Sequence, residues 1–375
     1  MTTPLADPVT TPRSVPSAVG SAAVRVAFDA MGGDHGPAEI VPGVLDYARS
    51  HPLDSLILVG DATVLRGLID TMPSNISIVH AGSVVGMDEH PALALREKKD
   101  SSILVATDLV KAGDADAVVT AGHTGAGMAA AILRLGRLPG VERPGLAVQM
   151  TTESGPMVLI DIGANPDSTA EHLAQYARMG AIFAERVLGV AEPRVALLSI
   201  GEEKGKGDAR IQRATELIDA STLRFVGNVE GRHLPQHLAD VVVTDAVAGN
   251  VVIKFFEGLS TFIFDLWRAE FRRSWRGRLA YLLMRPGIAR IRAVFDYETQ
   301  GGSPLLGVRG TVIITHGSAR RRMITFACEV AARTARARVP DLIAEALAGD
   351  AAERARITAA ADSGIDPPQP EEIAR

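Results

Sequence analysis

Six turns along the chain combine glycine with residues that can donate or accept protons or carry charge. They are Asp29-Ala30-Met31-Gly32-Gly33-Asp34-His35-Gly36-Pro37, Ala121-Gly122-His123-Thr124-Gly125-Ala126-Gly127, Asp161-Ile162-Gly163-Ala164-Asn165, Gly201 to Asp208, Asp245 to Asn250, and His316-Gly317-Ser318. Glycine lets backbone N–H groups approach an anion closely, and a helix starting after the turn adds the positive end of its dipole. The chemistry this favours is the holding of a phosphate group. Any one such turn can be a plain connector; six carrying Asp, Asn, His, Lys or Ser beside Gly form a pattern.

Elements must position these turns. Short apolar runs occur at Val24 to Phe28, Leu56 to Val59, Ala117 to Thr120, Val158 to Ile160, Val195 to Leu198, Val241 to Val243 and Val312 to Ile314. Such near-continuous runs suit strands buried on both faces, as in a parallel sheet covered by helices. Glu171 to Leu188 and Ala209 to Ala220 have the length and period of helices. The expected fold is a doubly wound α/β architecture, in which the turns line the carboxyl edge of the sheet where ligands bind.

Composition narrows the classes. The chain has 375 residues, 47% hydrophobic and 22% charged, which suits a globular protein with a substantial core. Its net charge of -5 supplies no global basic field for nucleic acid. One cysteine, Cys328, excludes an intramolecular disulfide framework, and its apolar helical surroundings mark a buried structural thiol. Residues 1–22, rich in Thr, Pro, Ser and Ala, read as a disordered tail, as do residues 349–375 with their terminal prolines. No apolar segment approaches the roughly 20 residues of a membrane span, so a cytoplasmic location is expected.

Familiar signatures are missing. The Gly32-Gly33 turn is not G-x-G-x-x-G, and Lys206 is followed by Gly207 rather than the Ser or Thr of a P-loop. There is no G-x-S-x-G elbow for a serine acyl-enzyme. His233 and His237 have i, i+4 spacing, but Pro235 between them argues against a metal-binding helix face. No metal and no cofactor are expected, and direct attack by a bound substrate is the simplest chemistry.

The turns together resemble the bacterial phosphate acyltransferases. Phe28 to His35 with Pro37 resembles their opening, and the likeness continues through Arg96-Glu97-Lys98-Lys99-Asp100-Ser101-Ser102, Ala121 to Ala126, Asp161 to Asn165 and Glu171-His172-Leu173. It runs on through Gly201-Glu202-Glu203 with Lys206-Gly207, Gly227 to Glu230, Val243 to Asp245, Gly249-Asn250-Val251, Gly301-Gly302 and His316-Gly317-Ser318. The match is ordered from about Val24 to Leu347, within a domain expected at 23–348. His123 stands where the family usually has Asn, Gln300 replaces a common aromatic, and Ala319 a small polar residue.

The resemblance implies a phosphotransacetylase-like fold, related to isocitrate and isopropylmalate dehydrogenases, and a homodimer. It implies conversion of acyl-(acyl carrier protein) and inorganic phosphate to acyl phosphate, for phosphatidic acid synthesis. On that reading the phosphate sits among the amides of Gly32, Gly33, Thr124, Gly125 and Gly163. Lys206 and Lys99 supply charge, Asn165 and Asn250 supply directional donors, and His35 and His316 are candidates to protonate sulfur or polarise the carbonyl. The aspartates Asp29, Asp34, Asp161 and Asp245 are expected to brace loops, since carboxylates repel phosphate.

One segment, 251–297, differs from the rest. It holds both tryptophans in a chain only 4% aromatic. Trp267, Phe271 and Trp275 fall at i, i+4, i+8, and arginines crowd the flanks, a pattern suiting an anionic membrane surface. The segment is expected to form a protruding helical hairpin that meets lipid, packs at the dimer interface, or both. The family's peripheral membrane association, beside the glycerol-phosphate acyltransferase that takes the product, points the same way. Two other classes fit the fold: a metal- and NAD-dependent decarboxylating dehydrogenase, and a non-catalytic membrane scaffold.

Overall fold

Every one of the seven apolar runs becomes a strand, and four further strands join them in one sheet. The computed structural model describes residues 22–152 and 154–349; apart from residues 22 and 349, the two tails lie outside them. The strands are β1 (Arg25–Asp29), β2 (Ser55–Gly60), β3 (Ile76–His80), β4 (Ala117–Thr120), β5 (Gly145–Thr152), β6 (Gly155–Ile160), β7 (Val195–Leu198), β8 (Phe225–Val229), β9 (Val241–Val243), β10 (Ser303–Leu306) and β11 (Thr311–Ile314). Their order across the sheet is β3-β2-β1-β4-β11-β10-β5-β6-β9-β7-β8.

The sheet is not parallel throughout, which corrects the sequence expectation. β3 to β11 form one parallel half and β6 to β8 another. Between them β10 and β5 pair antiparallel with each other and with their outer neighbours. Leu305 pairs with Leu146 and Val148 with Leu159, so the two halves share one continuous apolar sheet.

Helices cover both faces. They are α1 (Pro37–Ser50), α2 (Ala62–Gly67), α3 (Pro91–Glu97), α4 (Ser102–Ala112), α5 (Thr124–Arg134), α6 (Ala170–Leu188), α7 (Ala209–Asp219), α8 (Ala246–Arg273), α9 (Trp275–Val294) and α10 (Arg321–Arg336), followed by a helix at 339–349. Alternate residues of one strand face opposite layers. Val26 and Phe28 pack with α1 and α10, while Ala27 meets the α4 and α5 side. Cys328 lies in the first layer, fully buried, and burial pushes its thiol well above the ordinary range. It is structural.

The hairpin is formed by α8 and α9. It starts at Ala246, five residues ahead of the expected 251, and most of α8 is exposed. An 18-residue window of α8 has mean hydropathy 1.4, so by length and composition this helix could cross a membrane. That corrects the sequence reading, because Gly258, Ser260 and Thr261 interrupt the apolar run while the window's average stays at 1.4. Arg273 ends α8. Ser274 is extended and caps α9 by accepting from Gly277 N at 3.0 Å. Trp275 therefore opens α9, and Trp267, Phe271 and Trp275 do not share one helical face.

Candidate active site

Strand-end aspartates organise the turns. Asp29 is buried and accepts from Thr120 Oγ1 at 2.7 Å, tying β1 to β4. Asp161 is fully buried and accepts from the amides of Leu146, Gly163, Ala164 and Asn165 at 2.9–3.1 Å. Burial pushes both carboxyls above the ordinary range, against these hydrogen bonds. Asp245 caps α8 through Val247 N and Ala248 N and takes an ion pair from Arg210 at 2.9 Å. The expected bracing role fits this geometry at all three; Asp34 stands apart, on a cleft wall.

These contacts change what the glycines do. The Gly163 amide is spent on Asp161, and the Gly125 amide donates to His123 Nδ1 at 3.0 Å. His123 thus caps α5 as a small polar residue would. Gly32 and Gly33 are needed for close packing: a Cβ on Gly32 would lie 2.9 Å from Gly122 N, and one on Gly33 2.8 Å from Ala121 O. Gly33 also has a φ of 86°, a left-handed value open to glycine. Asp34 N donates to Gly317 O at 2.8 Å, so three turns lock together at the strand ends.

A cleft of about 640 Å³ opens above these turns. Of the expected site residues it gathers Thr124, Gly163, Asn250 and His316, from four separate elements. Thr124 begins α5, and Ala246 and Val247 of the same lining begin α8, so two helix N-termini reach the cavity. Gly32, Gly33, Gly125 and His35, expected at the site, are not among its lining residues. Asn165 turns its side chain away, donating to Asp161 Oδ2 at 3.2 Å and Tyr176 Oη at 2.7 Å. Lys99 is exposed outside the cleft, and Lys206 is exposed on the loop between β7 and α7. Gly205 and Gly207 flank Lys206 with φ of 96° and 95°.

The cation inside the cleft is Lys254, which sequence reasoning passed over. Its Nζ lies 2.7 Å from His316 Nε2 and 3.1 Å from Glu257 Oε2. His316 Nδ1 lies 2.8 Å from Ser318 Oγ and accepts from Ser318 N at 3.3 Å, so the ring bridges Lys254 and the turn after β11. Desolvation on the cleft wall and the facing ammonium push His316 below the usual histidine range. The signal was available: Asn250 and Lys254 are i, i+4 on α8, one face of one helix.

A second cavity, of about 710 Å³, lies between α8 and α9 and is lined by Phe264, Trp267, Phe271 and Tyr281. Phe264 meets Trp267 and Phe295 edge-on at 5.7 and 6.1 Å. Trp275 is outside it, 69% exposed, with Arg276 over its ring. Trp267 and Phe271 thus face the groove of the hairpin, and Trp275 faces outward.

Comparison with known proteins fits this architecture. Residues 24–342 match the model of a fatty acid synthesis protein family. A phosphate acyltransferase of Desulfitobacterium hafniense is 47% identical over 311 residues, 82% of this chain and 92% of that protein. One from Desulforamulus reducens is 44% identical over 333 residues, 87% and 98% of the two chains. Among solved structures, a phosphotransacetylase from Streptococcus pyogenes gives a TM-score of 0.58 at 18% identity, covering 84% of this chain and 94% of its own. Another from Staphylococcus aureus gives 0.54 at 17%, covering 84% and 96%. These structures establish the phosphotransacetylase-like fold. At the identity and coverage of its sequence relatives, the chain belongs to the phosphate acyltransferases, enzymes of fatty-acid and phospholipid synthesis.

Proposed function

We propose that the chain transfers an acyl group from an acyl carrier protein thioester to inorganic phosphate by direct attack, releasing acyl phosphate and the free carrier thiol. One observation carries this reading. A single strand-end cleft combines an ammonium, a hydroxyl, a carboxamide and two helix N-termini, and the chain's cysteine is buried elsewhere. That set binds an anion and stabilises a developing oxyanion, with the chain's thiol out of reach.

The roles follow from placement. Thr124 and Asn250 orient phosphate below the two helix starts, and Lys254 balances its charge. Phosphate oxygen attacks the thioester carbonyl, the C–S bond breaks, and the sulfur leaves as a thiolate beside the ammonium. A thiol of pKa about 8.5 needs little more help than that. His316 holds Lys254 in register. Lys206, on a loop jointed by two left-handed glycines, adds a second positive charge from the rim.

The test is product formation from acyl carrier thioester, with acyl phosphate trapped as the hydroxamate. One acyl phosphate should appear per thiol released, at a rate set by phosphate and unchanged by chelator or NAD. Thiol release without phosphate, or reduction of NAD, would replace the reading with a thioesterase or a dehydrogenase.

The hairpin carries the assembly part of the proposal. Phe255, Phe262 and Leu266 of α8 are 68%, 58% and 53% exposed, and Leu282 and Leu283 of α9 are 65% and 75%. Apolar exposure on this scale marks an interaction surface. It is covered by a second copy of the chain and by an anionic lipid surface, where an amphiphilic product meets the glycerol-phosphate acyltransferase that consumes it. Sedimentation should give a dimer, and flotation with anionic but not neutral vesicles should carry the protein upward. Leu282→Asp with Leu283→Asp should abolish flotation.

A further inference from the structure

The cleft and the hairpin groove are continuous along one helix face. Asn250, Lys254 and Glu257 line the cleft, and Thr261, Phe264, Arg268 and Phe271 line the groove. Their spacing alternates four and three residues, which keeps all seven on one stripe of α8. Two other elements bridge the same boundary. Gln300 faces the cleft while Tyr297 faces the groove, and Met323 of α10 lines the cleft while Arg322 lines the groove. Charges at the junction are already paired, Lys254 with Glu257 and Arg322 with Glu298 at 3.1 and 3.0 Å.

We infer that the groove between α8 and α9 holds the acyl chain of the substrate, with the thioester at the cleft and the chain running along the α8 stripe. This rests on the acyl-transfer reading above. From Glu257 to Phe271 the stripe spans about 21 Å at 1.5 Å per residue. A long saturated chain fills that length, and a six-carbon chain stops near its entrance. Phe264, Trp267, Phe271 and Phe295 form an aromatic floor, between walls that carry Asp265, Arg272, Arg278 and Arg292, in a cavity of the size that encloses small ligands. Each methylene moved from water into it favours binding about fourfold. The groove therefore sets preference for chain length.

Two measurements test this on the full chain. Thr261 is exposed at the groove entrance and Ile288 stands on its α9 wall. Thr261→Trp and Ile288→Trp should lower kcat/KM for sixteen-carbon acyl carrier thioester at least tenfold and leave the six-carbon donor within twofold. Equal loss on both donors in a variant with an unchanged melting curve, or no loss on either, would overturn the proposal. Independently, in Trp275→Phe, which leaves Trp267 as the one tryptophan, a stearic acid brominated at mid-chain should quench fluorescence in the absence of vesicles. Absence of quenching at saturating ligand sinks the assignment. Should no acyl phosphate form from any donor, the catalytic reading fails, while quenching at Trp267 would still support chain binding.

Discussion

Lys254 Nζ and His316 Nε2, 62 residues apart in sequence, stand 2.7 Å from each other across the cleft. The pair joins α8 to the turn after β11, so it also sets the spacing of the cleft walls. If Lys254 supplies the charge for phosphate and departing sulfur, Lys254→Met should reduce kcat/KM by about two orders of magnitude, the loss expected for one preorganised electrostatic donor. His316→Gln keeps a hydrogen-bond acceptor and should cost less, about tenfold, chiefly in the phosphate KM. Steady-state kinetics with varied phosphate separate the two. A Lys254→Met variant with unchanged kcat/KM would remove it from the mechanism.

The same pair predicts a titration. His316 is held below the ordinary histidine range by desolvation first and by Lys254 second, with Glu257 and Asp34 opposing weakly. Its folded value lies below its unfolded value, so the neutral ring stabilises the fold and that contribution is lost as pH falls through the folded value. An NMR titration of the imidazole should give a midpoint below about 6.5, assigned by the signal absent in His316→Gln. Lys254→Met should raise the midpoint, because the facing positive charge is gone.

The fold was largely legible and the site only partly so, for physical reasons. Strands buried on both faces announce themselves as apolar runs, as Val241-Val242-Val243 does. β10 does not, because Ser303-Pro304 carries a strand breaker, and β5 mixes Gln149 and Thr151 among its apolar residues. Glycine turns marked the right edge of the sheet but not the right atoms. The amides of Gly125 and Gly163 are consumed by His123 and Asp161, a fact that only distances reveal. Lys254 was hidden because it lies inside α8, past the Gly249-Asn250-Val251 motif. Its partner His316 comes from the far end of the chain.

Stability at acid pH should hinge on Asp54. Its side chain is 1% exposed, and it pairs with Arg336 and accepts from Tyr47 Oη at 2.7 Å and Val24 N at 3.1 Å. Burial alone would raise this carboxyl, but the guanidinium, hydroxyl and amide outweigh burial and hold it below the ordinary value. A lowered folded pKa means stability that is present above about pH 4 and lost as pH falls further. Arg336→Met leaves the buried carboxylate without its charge partner and should cost about 3 kcal/mol at pH 7 in urea denaturation. The cost should shrink as pH falls through the lowered folded value, below which the carboxyl is neutral in both states. A pH-independent difference would assign the loss to packing.

Two glycines of α8 give opposite expectations from one substitution. A Cβ on Gly249 would lie 2.0 Å from the carbonyl oxygen of Asp161, a separation no real contact tolerates. Gly249→Ala must therefore push the start of α8 away from the turn after β6. Asn250 and Lys254 move with it, and the aligned Lys254–His316 contact opens. Overpacking of this kind costs about 1–3 kcal/mol, and the displaced cation should lower kcat/KM more than tenfold. Gly258 lies nine residues on, in the same helix, and an added Cβ there meets nothing within 4 Å. Gly258→Ala should stabilise the protein by about 0.5–1 kcal/mol, because alanine loses less backbone freedom in a helix. Its activity should stay at the parent level. Thermal unfolding and steady-state rates on the two variants compare the same chemical change at a packed and an open position. Equal behaviour of the two would mean that α8 is not seated on Asp161 as described.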